Sequence, residues 1–410
     1  ALHEWFFRYT TFGGTAGKAR YRPPDRPFRQ SHGGRADSAG AAGTMPGMNA
    51  HDLSVGIIGL GYGRAHIPAF QANGCRVVAV CQRDEATAKA VAARYGVPRA
   101  FTSWQEMLDT ARPEIVVIAT PPHLHHAIAL RAFAAGAHVL CEKPLAMTRA
   151  EAQSMVDAAA RAGRIGMTSF NWRFTAAMGE LHAAVAAGAV GRVFHLAARW
   201  FGSRLANANA ASSWRQDRAQ AGHGAMGDQG VHVIDLIRWS FGEFTRVVVN
   251  SGVGYPARSA PGVNRPADTD DYCAVLAELD SGAQVTFSVS RVAYATNDQS
   301  LEVWGTEGAL RYRLVREGPR WFEGELYASR GSAGFTPVAP RSAPAPAAGE
   351  GDPTEVIGKA LIAPLIERLL DGIRTGATPA PSFADGLRAQ GVLDGVLESS
   401  RRGAWVTVGA

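Results

Sequence analysis

Three side chains far apart in the chain carry types suited to proton and hydride chemistry. Lys143 closes the apolar run Val139-Leu140-Cys141-Glu142-Lys143-Pro144. An ammonium at the exit of a buried strand can snorkel to water, or it can sit in a cleft and donate to an oxygen that gains charge. Asp228 and His232 lie in Gly227-Asp228-Gln229-Gly230-Val231-His232. On a helix, residues four apart share a face and stand about 6 Å apart along the axis. The first turns of a helix favour a carboxylate and disfavour an imidazolium, and a neutral imidazole is what a general base requires. Asp235, three residues on, is within reach to orient the ring. The same pair could also be a helix cap beside a satisfied histidine. One His with one Asp falls short of a metal ligand set, so no metal is expected.

A second kind of site opens the ordered part of the sequence. Val55-Gly56-Ile57-Ile58-Gly59-Leu60-Gly61-Tyr62-Gly63-Arg64 puts Gly59 and Gly61 directly after a strand and before a helix. Glycine there permits a tight turn and lets backbone N–H groups approach a pyrophosphate at the positive end of a helix. The third glycine of the usual spacing would fall at Arg64; Gly63 sits one place early. A plain strand-to-helix turn would account for such a trio as well. The second strand ends at Cys81, followed by Gln82, Arg83 and Asp84. A carboxylate there would repel a ribose 2′-phosphate, whereas Gln82 and Arg83 can donate to one. The preference is therefore for NADP over NAD, with Asp84 as the residue that could still reach a ribose. Ala119-Thr120-Pro121-Pro122-His123 is a third strand exit on the same edge of the sheet.

These positions need a scaffold. Apolar strands at 53–60, 76–81, 115–120, 138–142 and 165–170 alternate with helical stretches at 64–72, 86–95, 103–109, 123–135 and 149–162. That alternation implies a parallel sheet covered on both faces, with ligands at its carboxyl edge. Beyond Asn171 the pattern changes to a helix at 176–187, a strand at 193–200 and a helix beginning near Asp228. Strands of two-residue period follow. In Gln284–Ser290, Val285, Phe287 and Val289 share one face. Residues 329–352 are Pro/Ala/Gly-rich and read as irregular; helices at 354–375 and 383–402 close the chain. The expected fold is an α/β Rossmann dinucleotide-binding domain at 52–170 with an α+β domain at 171–410, built on a largely antiparallel open sheet.

Bulk properties exclude several classes. The net charge is +6, but residues 1–50 hold seven basic and three acidic side chains, leaving the remainder near balance at +2. The basic excess belongs to a Gly/Arg/Pro/Ser-rich tail at 1–51 that reads as a disordered extension, with the native start at Met45 or Met48. It lacks a twin arginine before an apolar stretch and does not read as a signal peptide. With no basic face and no nucleic-acid module, nucleic acid is not an expected partner. No apolar run is long enough for a membrane helix. Cys75, Cys81, Cys141 and Cys273 show no metal spacing and read as buried thiols in a reducing cytoplasm.

Six segments in order resemble the glucose–fructose oxidoreductase/inositol dehydrogenase (Gfo/Idh/MocA) family, from Leu53 onward. Beyond the glycine turn they are Ala119–His123, Glu142-Lys143-Pro144, Asn171-Trp172-Arg173-Phe174, Gly227–His232, Gly305-Thr306-Glu307-Gly308 and Phe383–Arg388. The resemblance implies an NAD(P)-dependent dehydrogenase or reductase acting on CH–OH groups of a sugar, polyol or derivative. Its catalytic residues fall on Lys143, Asp228 and His232. Gly59, Gly61, Tyr62, Gly63, Gln82, Arg83, Thr120, Pro121, His123, Glu142 and Lys143 are expected around the dinucleotide. Arg173, Trp214 and Arg215 are expected at the substrate, and the bond before Pro144 is expected to be cis. A redox-assisted lyase or glycosidase with tightly held NAD would need the same residues. A non-catalytic dinucleotide-bound regulator would more readily have lost them. The exposed face of the half-apolar sheet is expected to pair subunits into a homodimer or homotetramer.

Overall fold

The computed structural model describes residues 52–258, 262, 265–318, 320–331, 333–339 and 352–409. The expected disordered tail and start site lie outside them, as does much of the 329–352 segment. Among the described residues, no helix is long and apolar enough to cross a membrane.

The first sheet is all parallel. Its strands are β1 (Ser54–Ile58), β2 (Arg76–Cys81), β3 (Ala100–Phe101), β4 (Ile115–Ile118), β5 (His138–Cys141) and β6 (Gly166–Thr168). They lie in the order β3-β2-β1-β4-β5-β6, the doubly wound arrangement in which strand order reverses beside β1. Helices α1 (His66–Ala72), α2 (Glu85–Tyr95), α3 (Trp104–Ala111), α4 (His125–Ala134) and α5 (Arg149–Ala162) connect them. Local chemistry starts three of these helices: the side chains of Asp84, Ser103 and Thr148 accept from backbone N–H groups of the first turn. β3 was not foreseen, because two residues show no periodicity. The foreseen start at Arg64 is a 3₁₀ turn over Gly63–Ala65 leading into α1.

After α6 (Ala176–Ala186) comes β7 (Val193–Phe201), then a long loop containing the short α7 (Arg218–Ala221), then α8 (Val231–Phe241). The second sheet continues through β8 (Phe244–Gly252), β9 (Tyr272–Leu279), β10 (Gln284–Ser290), β11 (Asp298–Gly305), β12 (Ala309–Val315), β13 (Glu325–Ser329) and β14 (Thr336–Pro337). Helices α9 (Pro353–Ile357), α10 (Ala363–Thr375) and α11 (Phe383–Arg402) precede a last strand, β15 (Val406–Thr407). The order is β14-β13-β12-β11-β7-β10-β9-β8-β15, antiparallel except for the β7–β10 pair. β14 corrects the reading of 329–352 as wholly irregular.

Two-residue alternation decides which face of this sheet is buried. Val285, Phe287 and Val289 pack with Ile234, Ile237, Val392 and Val396 of α8 and α11 in one core. The opposite face leaves Tyr272 and Leu276 about half exposed. The helix expected at 354–375 is interrupted by a π-helical turn at Gly358–Ile362. Leu365, Ile366 and Leu369 of α10 share a core with Val55, Ile57 and Phe70, so the chain returns to the first sheet near its end. All four cysteines are buried and free.

Candidate active site

A cleft of about 980 Å³ runs along the carboxyl edge of the first sheet. One end is made largely of backbone. Gly59 has φ +90°, and a Cβ there would lie 2.5 Å from the Ala119 carbonyl oxygen, so only glycine fits. A Cβ on Gly61 would meet nothing within 4 Å, because Gly61 faces the open cleft. Gly59, Gly61 and Tyr62 line the cleft. Gly63 does not: it is buried, and a Cβ there would stand 2.8 Å from that of Ala119. The expected ligand contact is thus corrected to a packing role, letting the first helical turn lie close to the neighbouring strand exit.

Gln82 and Arg83 line the same end. Gln82 Oε1 accepts from Leu60 N at 3.2 Å, tying the second strand exit to the glycine turn. Asp84 is turned away as the cap of α2. Its carboxylate accepts from the Thr87 hydroxyl and backbone N–H, and these bonds hold it below the usual range. Thr120, Pro121 and His123 line the cleft between the two ends. The Thr120 hydroxyl is buried and has no hydrogen-bond partner among the described residues. An open glycine turn with an unpartnered hydroxyl beside it fits the phosphates and amide of a dinucleotide.

The other end is made of side chains. Lys143 follows β5 across a cis bond to Pro144. Its Nζ donates to the Asp228 backbone carbonyl at 2.8 Å and to Oδ1 at 3.2 Å. Glu142 supports it from behind: Oε2 accepts from Lys143 N, and Oε1 lies 2.9 Å from His66 Nε2. Burial alone would raise the Glu142 pKa, yet the neighbouring His66 and Lys143 hold it below the usual value.

Asp228 sits in a π-helical turn, Met226–Gly230, rather than an α-helix as expected. It is the backbone carbonyl of this turn that accepts from Lys143. Arg204 donates to Asp228 Oδ2 at 2.8 Å, and Arg215 Nε lies 3.9 Å from it. Burial opposes ionisation of Asp228, but Lys143, Arg204, Arg215 and Arg291 outweigh it and hold the carboxyl well below its ordinary value.

His232 is 3% exposed and lines the cleft. Its ring stacks on Trp200 at 5.4 Å and meets the edges of Phe170 and Trp172. Burial, then the positive charges of Lys143 and Arg316, push its pKa well below the ordinary value and keep the ring neutral. Asp235 does not orient it. That carboxylate is bound by Arg173, whose Nε donates at 2.8 Å and whose second arm also reaches Asp385 at 3.1 Å. Arg173 is 5% exposed and does not line the cleft, which corrects the expected substrate contact. A buried arginine between two carboxylates holds α8 and α11 together. Trp214 and Arg215 do line the cleft, with the guanidinium 4.3 Å above the indole.

Several cleft residues escaped sequence reading. Arg204, Arg291 and Arg316 come from the ends of β7, β10 and β12, where an exposed-looking arginine carries no periodic signal. His125, one of three histidines after Pro122, bridges the two loops: Nδ1 is 3.0 Å from Pro144 O and Nε2 is 2.9 Å from Thr120 O.

This architecture and site define a nicotinamide-dependent oxidoreductase. Residues 53–170 match the model of the oxidoreductase family with an NAD-binding Rossmann fold, and residues 178–311 match the GFO/IDH/MocA C-terminal domain. The chain belongs to the Gfo/Idh/MocA family. It is 31% identical to levoglucosan dehydrogenase of Pseudarthrobacter phenanthrenivorans, over 87% of this chain and 98% of that protein. It is 28% identical to D-apiose dehydrogenase of Paraburkholderia graminis, over 85% and 88%. The structure of levoglucosan dehydrogenase in complex with NADH and levoglucosan superimposes with a TM-score of 0.78 at 30% identity, covering 88% of this chain and all of that one.

Proposed function

We propose that the protein oxidises a carbinol carbon of a sugar, polyol or related derivative, or reduces the corresponding carbonyl. The observation that carries this reading is the Lys143 ammonium held 3.2 Å from Asp228 in one cleft with a neutral, buried His232. The names of the relatives, which act on levoglucosan and D-apiose, support a sugar-like substrate.

The dinucleotide, when bound, supplies the two-electron acceptor. Gly59, Gly61, Tyr62, Gln82, Arg83, Thr120, Pro121 and His123 would hold it. His232 accepts the hydroxyl proton, a role that its depressed pKa keeps open by leaving the ring unprotonated. Lys143 donates to the substrate oxygen as negative charge grows there, and Asp228 fixes the ammonium in place. Glu142 sets the Lys143 backbone. Gln82 and Arg83 favour NADP, and Asp84, spent on its helix cap, leaves no carboxylate against the 2′-phosphate. Residues 52–170 act as the dinucleotide-binding domain and 171–410 as the substrate-binding and oligomerisation domain. The exposed sheet face with Tyr272 and Leu276 pairs copies into a homodimer or homotetramer. Four buried free thiols suit a cytoplasmic setting.

The test is cofactor reduction with a panel of sugars and polyols. Lys143→Ala and His232→Ala lower turnover by about 10²-fold or more while dinucleotide affinity, read by fluorescence titration, stays within about threefold. Near-normal turnover by His232→Ala would remove it as the base. Sugar cleavage without net cofactor reduction would favour the lyase reading.

A further inference from the structure

The substrate end of the cleft holds more positive charge than the proposed chemistry uses. One cation, Lys143, suffices to stabilise the reacting oxygen, yet Arg204, Arg215, Arg291 and Arg316 line the same space. Among the described residues, two carboxylates line it, Glu142 and Asp228. Glu142 is directed to His66 and the Lys143 backbone. Arg291 is matched by Asp271 at 2.8 Å. Asp228 alone is left to serve Lys143, Arg204 and Arg215.

Arg316 has no carboxylate at ion-pair distance among the described residues. Its guanidinium instead lies over three indoles, 5.1 Å from the centroid of Trp172, 5.6 Å from Trp200 and 5.6 Å from Trp321. The ring faces recover part of the cost of burying a cation but leave its in-plane donors available. Trp200 also stacks on His232, which puts Arg316 at the reacting end of the cleft. A planar cation backed by aromatic rings, with two more arginines at the mouth, is built to receive an oxyanion.

Resting on the dehydrogenase reading, we infer that the substrate carries a carboxylate or phosphate near its reacting carbinol, received by Arg316 with Arg204 and Arg215. The substrate class is then a sugar acid or sugar phosphate, unlike the levoglucosan and D-apiose that the relatives' names give.

The experiment compares D-gluconate and D-glucuronate, D-glucose 6-phosphate, and neutral D-glucose and levoglucosan, using the full chain with NAD and NADP. One anionic arm exceeds its neutral counterparts in kcat/KM by about 100-fold, and the advantage shrinks with added salt. Whether the carboxylate or the phosphate arm responds tells the two sources apart. Arg316→Met narrows the anionic-to-neutral ratio by about 10- to 100-fold, and Arg316→Lys restores part of it. Should Arg316→Met lower Tm, Arg204→Gln at the 60% exposed rim gives the same readout at about threefold to tenfold. Neutral sugars used as well as anionic ones, or a ratio unmoved by these variants, overturns the inference and leaves the dehydrogenase reading standing. No turnover of any member, with no heat on titrating gluconate or glucose 6-phosphate into the NADH complex, overturns both.

Discussion

At the turn after β1 the protein offers a ligand its backbone, whereas at the opposite end of the same cleft it offers side chains. Gly59 reaches its conformation at φ +90° against the Ala119 carbonyl, and Gly61 is open to the cleft. No charged side chain is needed there, and five residues of sequence define the turn. The substrate end instead collects Lys143 from just after β5, Arg204 and Arg215 from the loop after β7, Asp228 from the π-helical turn before α8, His232 from the start of α8, and Arg316 from the end of β12. A backbone site is set by local conformation and tolerates changes in surrounding side chains. A side-chain site is set by tertiary packing and by the balance of buried charges.

The largest expected effect comes from forcing side chains into the backbone end. Gly59→Ala places a methyl 2.5 Å from the Ala119 oxygen at a φ that costs roughly 1–3 kcal/mol for a non-glycine residue. Thermal unfolding should shift several degrees downward, and dinucleotide affinity should fall by about 100-fold. Gly61→Ala separates the two causes, since its added methyl meets nothing within 4 Å. Its melting temperature should match the parent while affinity still falls by about tenfold, because the methyl occupies the ligand's approach. Equal loss of stability in both variants would break the contrast.

The same division explains which parts of the molecule were legible from sequence. Strand–helix alternation, the glycine turn and Glu142-Lys143-Pro144 are local patterns, and the corresponding elements formed within a few residues of their expected limits. Gly63 was read as a ligand contact because spacing does not show that a neighbouring strand exit, Ala119, needs the room. Asp235 was assigned to His232 on helical spacing alone. The competing partner, Arg173, lies 62 residues away and binds it with two arms. The π-helical turn at Met226–Gly230 has no sequence period of its own. The arginines of the substrate end were hidden for a related reason: an arginine at a strand end looks solvated until several ends converge.

A smaller effect follows from buried histidines. His223 lines the substrate end with neither ring nitrogen hydrogen-bonded among the described residues, and burial lowers its pKa to about 4. In the unfolded chain it titrates near 6.5, so above that pH both states are neutral and the group is without penalty. As pH falls from about 6.5 toward 4, the unfolded state takes up the proton and the folded state does not. Stability is then lost by about 3 kcal/mol from this residue alone. Urea unfolding at pH 7.5 and pH 5 should show a drop that His223→Met reduces. Dinucleotide contacts made by backbone N–H groups carry no such titration. A stability loss of the same size in His223→Met would assign it to other groups.

The smallest expected effect concerns an exposed cation at the backbone end. Arg83 lines the cleft beside Gln82, while Asp84 is held by Thr87 and the α2 cap. An exposed arginine facing a 2′-phosphate works in high dielectric, where a single charge-assisted contact is worth about 1 kcal/mol. Arg83→Gln should therefore raise KM for NADP by about fivefold, leave KM for NAD within about twofold, and lose most of its effect in 0.5 M salt. A change of similar size for both cofactors would mean that Arg83 shapes the turn and does not read the phosphate. The backbone end would then have no side-chain selectivity, and cofactor choice would fall to Gln82, whose Oε1 is already bound to Leu60 N and whose amide is its remaining donor.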